Sequence, residues 1–461
     1  MKRRGWMVLL VGLFAVPVFA EGTLQVGACR VDSTPTHLPA VVNGGFTPQF
    51  LDVVNDPLSI RALVVDDGTT CVAYAVADVC VLPENIVEAA KDEICRQIPI
   101  PREQIAMSST HCHSAPSLMK LLGTDVDSHY VPLFQKKMVE AVVTAYARRQ
   151  PAKMGYGFDF DPENVYCRRF LMKPGKALHV NPEFTGAAIN QAQMNPNADH
   201  VIRRLGVPDP TVYVVAFQTP EGKPLALLAN YSTHYAGAPN LSADYFGVFC
   251  REIAEKLGAD ASFTALMTNG TSGDTNCIDR YNRSRKFTME TVGKSVAEAA
   301  MRAYQKMTFT SEVTLSMRQE KLTVALRKGT LEQVALAKKH GAEHPVVKTM
   351  EDAYALNTLQ LAEMPDTRDL TLQTIRLGEV GIALLPNEVY SATGHEIRRN
   401  SPHGMTFVIS MANGYAGYLP TKRDIELGGY TTWRATSSCC EPGAEEKIRM
   451  RLIKMLEEIR P

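Results

Sequence analysis

Nearly continuous apolar runs alternate along this chain with runs whose apolar residues recur every three to four positions. LSIRALVVDD, TCVAYAVADVC and TVYVVAFQT are of the first kind, the pattern of strands buried on both faces. ENIVEAAKDEICRQI, FQKKMVEAVVTAYARRQ and TMETVGKSVAEAAMRAYQKM are of the second, the spacing of helices with one buried face. Their alternation predicts an α/β fold: a large single domain with central, mostly buried β-sheets flanked by helices. Further strands are expected over residues 315–328 and in LTLQTIRLG and VGIALLP. A helix is expected over 389–399, and AEEKIRMRLIKMLEEI should dock its apolar face on the core. Residues 330–363 read as an exposed, charged helical hairpin. Residues 158–209, rich in Pro, Asn and Gly with little periodicity, read as long loops that shape a site.

Three apolar runs end in residues able to hold a metal: IAMSSTHCH at His111 and His113, PLALLANYSTH at His234, and VGIALLPNE at Glu388. Catalytic groups of α/β sheets collect beyond the carboxyl ends of strands, so the site is expected there. Imidazoles plus one carboxylate make the ligand set of a catalytic zinc centre. His111 and His113 would share a strand face, about 6–7 Å apart. Each residue also has a plainer reading: a polar pair at a strand end, a satisfied core histidine, a first-turn glutamate favoured by the helix dipole. Asp244 is a candidate to orient an imidazole. In TALMTNGTSGDTN the Asn-Gly and Ser-Gly steps permit positive φ and would let backbone N–H groups approach a ligand or developing oxyanion. Of Arg168 and Arg169, one is a candidate clamp, although adjacent loop arginines are usually solvated. HExxH, GxSxG, P-loop and GxGxxG patterns are absent from the sequence.

Composition narrows the class. Lys and Arg number 49 against 49 Asp and Glu, which points away from nucleic acid. Lys2, Arg3 and Arg4, an apolar stretch over residues 7–16, and the small residues Val18 and Ala20 read as a signal peptide over 1–20. The stretch is short for a membrane anchor and Pro17 interrupts it, so a periplasmic or secreted chain with no transmembrane segment in its mature part is expected. Ten cysteines permit disulfides there, with pairing left open; adjacent Cys439 and Cys440 cannot both reach one partner. Cys112, between the histidines, is a possible thiol ligand that strand alternation turns away from them.

STHCHSAP resembles the histidine motif of the neutral/alkaline (non-lysosomal) ceramidase family, zinc-dependent amidases that split ceramide into sphingosine and a fatty acid. The stretch from Gly27 through Asp32, Thr34 and Pro35, the ANYSTH run, the NGTSGD loop, LLPNEVYSATG and NGYAGYLPT are similar to that family too, across nearly all of residues 21–461. The resemblance implies His111, His234, Glu388 and Tyr418 as ligands of Zn2+. It implies His113, Tyr430 and Arg168 as catalytic groups, and Gly273, Asp274 and Asn276 as substrate-binding. Two departures stand out. Asn276 occupies the place of a family serine, and the C-terminal β-sandwich domain of typical ceramidases has no counterpart after the last helix.

The expected function is therefore that of a secreted zinc amidohydrolase cleaving an N-acyl, ceramide-like amide by metal-activated water, with a small-molecule or lipid substrate and no evident protein partner. Two alternatives follow: the same metal site acting on another N-acyl compound or an ester, and a non-catalytic, metal-stabilised binding protein.

Overall fold

The computed structural model describes residues 24–282 and 284–461, so the leader expected over residues 1–20 lies outside the described residues. Three mixed sheets build the fold. The first holds Gln25–Asp32, Ser59–Asp66, Cys71–Ala77, Ile105–Ser109 and Gln150–Pro151; the second Lys153–Phe160, Thr211–Gln218, Pro224–Tyr231 and Thr264–Asn269; the third Leu315–Ala325, Thr367–Leu377, Val380–Leu384 and Met405–Ile409.

Strand alternation sorts their side chains into layers. Ile60, Ala62 and Val64 of the first sheet and Val212, Val214 and Ala216 of the second meet the helices Glu84–Gln97, Tyr130–Ala147, Asp244–Lys256 and Met289–Tyr304. The intervening residues, among them Leu63, Val65, Val215 and Phe217, face Ile375, Ile382, Leu384 and Phe407 of the third sheet. The third sheet turns Leu372, Ala383 and Val408 the other way, against Ile448, Leu452 and Met455 of the helix Ala444–Glu458. The expected α/β arrangement of buried sheets flanked by helices is what forms.

Each sheet contains one parallel pair: Cys71–Ala77 with Ile105–Ser109, Pro224–Tyr231 with Thr264–Asn269, and Val380–Leu384 with Met405–Ile409. Side chains stitch the carboxyl ends of these pairs together. Asn269 donates to the Thr110 carbonyl at 3.0 Å and its own carbonyl accepts from Ser410 N–H at 3.0 Å. Asn230 donates to the Val408 carbonyl at 3.0 Å.

Three expectations change. The hairpin forms as helices Leu331–Glu343 and Met350–Glu363, but the second buries Ala353, Tyr354, Ala355 and Leu361 and is not a free-standing exposed arm. Residues 158–209 contain a small sheet, Arg169–Met172 between Ala192–Met194 and Val201–Arg204, instead of loops alone. The helix expected from Val389 starts at Ser391, because Glu388–Val389 pairs as a short strand with Tyr418–Leu419. All ten cysteines carry free thiols. Among the described residues no helix is long and apolar enough to cross a membrane.

Candidate active site

His111 follows Ile105–Ser109 by two residues and takes a left-handed backbone, φ 69°. That turn breaks the strand alternation, so His111 and His113 do not stand side by side on one face as expected. Their rings meet edge to face with Nε2 atoms 3.1 Å apart. Cys112, turned away, is buried in the helix-side core and takes no part. His234, three residues beyond Pro224–Tyr231, brings its Nε2 to 3.1 Å from that of His111. Glu388, beyond Val380–Leu384, places Oε2 3.3 Å from the same nitrogen. The donor atoms of His111, His234 and Glu388 all lie within 4.8 Å of one another, and all three residues are buried.

The far sides of these groups are fixed. His111 Nδ1 donates to the Cys80 carbonyl at 2.7 Å and His234 Nδ1 to the Ser272 carbonyl at 3.2 Å, which turns both Nε2 atoms inward. Tyr415 donates to Glu388 Oε1 at 2.7 Å, while Oε2 is buried with no hydrogen-bond partner. Two inward imidazole nitrogens beside a buried carboxylate oxygen fit a divalent cation with N/O preference, which would displace the proton that His111 carries without it. A second grouping of Cys80, His111 and His113 is also compact. However, Cys80 Sγ lies 3.8 Å from His111 Nδ1, which the Cys80 carbonyl already engages.

Electrostatics follow from the same contacts. Burial opposes charge on His111, but Glu388 overrides it and raises its pKa to about 10. Burial tends to raise Glu388, yet His111, Tyr415 and Arg168 hold it below its ordinary value. Burial, and then the charges of Arg168 and His111, push His234 well below 6.5. His113 falls likewise, by burial first and then by His111 and Arg168. Burial, reinforced by Glu388 and Tyr430, lifts the Tyr418 phenol well above 10.

Around the donors lies a cavity of about 100 Å³. Arg168, His113, Tyr418 and Tyr430 line it, as do Phe46, Leu121 and Leu122. Arg168 is buried rather than solvated: it donates to the Gly273 carbonyl at 3.0 Å and the Tyr418 hydroxyl at 3.1 Å. Arg169 is also buried, pinned to the carbonyls of Asp424 and Gly428 away from the cavity. His113 stacks on Tyr235 with centroids 3.9 Å apart and presses on Gly44, where an added Cβ would fall 2.2 Å from its Nδ1.

Other expectations need correction. Gly270 and Gly273 do not adopt positive φ. They are glycines for clearance, since a Cβ at Gly273 would lie 2.7 Å from the Glu388 carbonyl. The backbone N–H groups of Gly270, Ser272 and Gly273 bond within the protein, so this loop props up Glu388 instead of offering those donors to a ligand. Asp274 is buried and accepts from Ser391 N–H and Oγ–H. Asn276 donates to Asn195 Oδ1 at 2.8 Å and reaches the cavity only through that residue. Asp244 binds the N–H groups of Ala236 and Gly237, shaping the loop after His234 without touching its ring. Sequence reasoning missed Tyr415, Cys80 and Tyr235. Only Tyr415 carried a signal, three residues before Tyr418 in NGYAGYLPT.

The fold is ceramidase-like, as its likeness to two solved structures shows. The neutral ceramidase from Pseudomonas aeruginosa superposes with a TM-score of 0.70 at 14% identity, over 96% of this chain and 76% of that one. A ceramidase complexed with C2 does so with 0.68 at 14% identity, over 95% and 76%. No protein-family model matches the sequence, and no curated protein matches it in sequence.

Proposed function

We propose that residues 21–461 form one metal-dependent amidohydrolase unit that cleaves an N-acyl amide, with Zn2+ held by His111, His234, Glu388 and Tyr418. The observation that carries the reading is the inward convergence of His111 Nε2, His234 Nε2 and the unpartnered Glu388 Oε2 within one buried pocket. A bound zinc ion would supply Lewis acidity at the scissile carbonyl and ionise a water at neutral pH. The chain supplies the rest. Tyr430, on the cavity wall, donates a hydrogen bond to the developing oxyanion. His113, on the cavity wall, takes a proton from the attacking water and delivers it to the leaving nitrogen. The C–N bond breaks as the acyl carbon gains the water oxygen, giving an acid and an amine. Arg168 holds Tyr418 in place and offsets its charge when it ionises.

The ceramidase-like fold favours a lipid N-acyl substrate. Asn276, a step removed from the cavity behind Asn195, favours a second reading in which the same centre takes a shorter N-acyl compound or an ester. Export through residues 1–20 belongs to the same proposal. The test is to measure metal content and hydrolysis of a fluorescent ceramide, short N-acyl amines and esters, before and after chelation. Activity should vanish with chelation and return with Zn2+, and His234→Ala should lose one equivalent of bound metal together with turnover. Hydrolysis indifferent to chelation, or His234→Ala binding as many equivalents of zinc as wild type, would reject the assignment.

A further inference from the structure

The tip of the helical hairpin carries a second set of donors that the hydrolytic site does not use. His340 and His344 lie one turn apart, at the end of Leu331–Glu343 and just past it, and Asp352 is in the first turn of Met350–Glu363. Asp352 Oδ1 lies 2.8 Å from His340 Nε2 and 3.9 Å from His344 Nδ1. The two imidazoles stack at 4.5 Å between centroids, and the three donor atoms fall within 4.8 Å of one another. The other oxygen, Asp352 Oδ2, accepts from the N–H groups of Lys348 and Thr349 at 3.0 and 2.9 Å. That cap locks the carboxylate with Oδ1 aimed at both rings. Phe184 packs edge-on against His340, centroids 5.2 Å apart, so the ring is braced from behind.

We propose that His340, His344 and Asp352 form a second, peripheral site for a divalent transition-metal ion, separate from the hydrolytic centre. Tetrahedral zinc with ligands near 2.0–2.1 Å needs donor atoms about 3.3 Å apart. The present 2.8 and 3.9 Å bracket that value, and His344, with its side chain 53% exposed, is free to close the difference. Two imidazoles with one carboxylate favour Zn2+, Cu2+ or Ni2+ over Ca2+ or Mg2+. Exposure on the His344 side leaves room for water to complete the shell.

An ion here would clamp the two helices of the hairpin. The second helix also carries Tyr354, whose hydroxyl donates to the Tyr430 carbonyl at 3.1 Å and whose ring packs on Phe46 and Trp433. The site thus braces an element that backs the cavity wall, but its occupancy does not depend on what the cavity does.

The test uses the full chain, stripped with a chelator and titrated with Zn2+, reading stoichiometry by elemental analysis and affinity by competition with a chromophoric chelator. Wild type should take two equivalents, His344→Ala one, His234→Ala one, and the double variant none. Zn2+ should raise the melting temperature of His234→Ala but not that of the double variant. His344→Ala still binding as many equivalents as wild type overturns the proposal. So does a wild type that takes a single equivalent which His234→Ala abolishes. A single equivalent abolished by His344→Ala alone would uphold this site and reject the hydrolytic one. His344 is half-exposed, so its removal leaves the fold intact; His340→Gln, which keeps a polar partner for Asp352, gives an independent second reading of the same loss.

Discussion

His111 is the residue on which the centre turns. Its left-handed backbone costs about 1 kcal/mol, and the return is an Nε2 aimed at His113, His234 and Glu388 at once. With its pKa raised to about 10, the metal-free imidazole holds a proton at pH 8. Uptake of Zn2+ at that pH must therefore expel about one proton from His111, and a second if the Tyr418 phenol ionises. Calorimetry in buffers of different ionisation enthalpy counts them; zero released protons would contradict the placement of the cation. Gly44 is the second lever. Gly44→Ala has to displace His113 and meets a φ of +115°, so hydrolysis should fall by about 10²-fold or more while bound zinc stays near one equivalent at the hydrolytic centre.

Among the elements, the last helix is docked on the third sheet by apolar contacts and by one partly exposed charge cluster. Glu320 on Leu315–Ala325 pairs with Arg451 on Ala444–Glu458 and with Arg318, and these partners lower its pKa to about 2. A carboxylate held below its unfolded value stabilises fully above about pH 4.5 and ceases to do so as pH falls through about 2. Glu320→Gln should thus cost about 0.5–1 kcal/mol at pH 7, and the gap between the two melting curves should narrow on acidification below about pH 4.5 and close toward about pH 2. This helix was readable in the chain because a period of 3.6 persists along it, and the long strands because their apolar runs are nearly continuous. The sheet within 158–209 was not, since its strands run only three or four residues and pair across long separations. The burial of Met350–Glu363 was hidden by Glu351, Asp352 and Glu363, which drew attention from Tyr354 and Leu361. The histidines and Glu388 announced themselves at the ends of apolar runs. Tyr418 and Tyr430 emerged only through family resemblance, and Asp244 was misjudged because sequence distance says nothing of whether a carboxylate meets a ring or a backbone N–H.

For the molecule as a whole, the polar seam beneath the site matters as much as the donors. Asn269 joins the Thr110 carbonyl to Ser410, and Thr110 directly precedes His111. Asn269→Ala leaves a buried carbonyl unpaired, which should lower stability by about 1–3 kcal/mol. Because the slack arises one residue from His111, zinc affinity should fall more steeply than melting temperature. Equal loss at a remote core site such as Leu452→Ala would show instead that general destabilisation, not the seam, governs the centre.

The proposed ligands hang from three sheets, and His111 and His234 alone are 123 positions apart. Bringing such groups together requires long loops to close, at a cost in entropy that local contacts do not carry. An ion held by these groups would not serve as a nucleus, as it does in a zinc finger, but would be a passenger that boards a finished vessel. Metal starvation should accordingly leave a pool of well-folded, idle protein that revives on resupply, with no need of refolding.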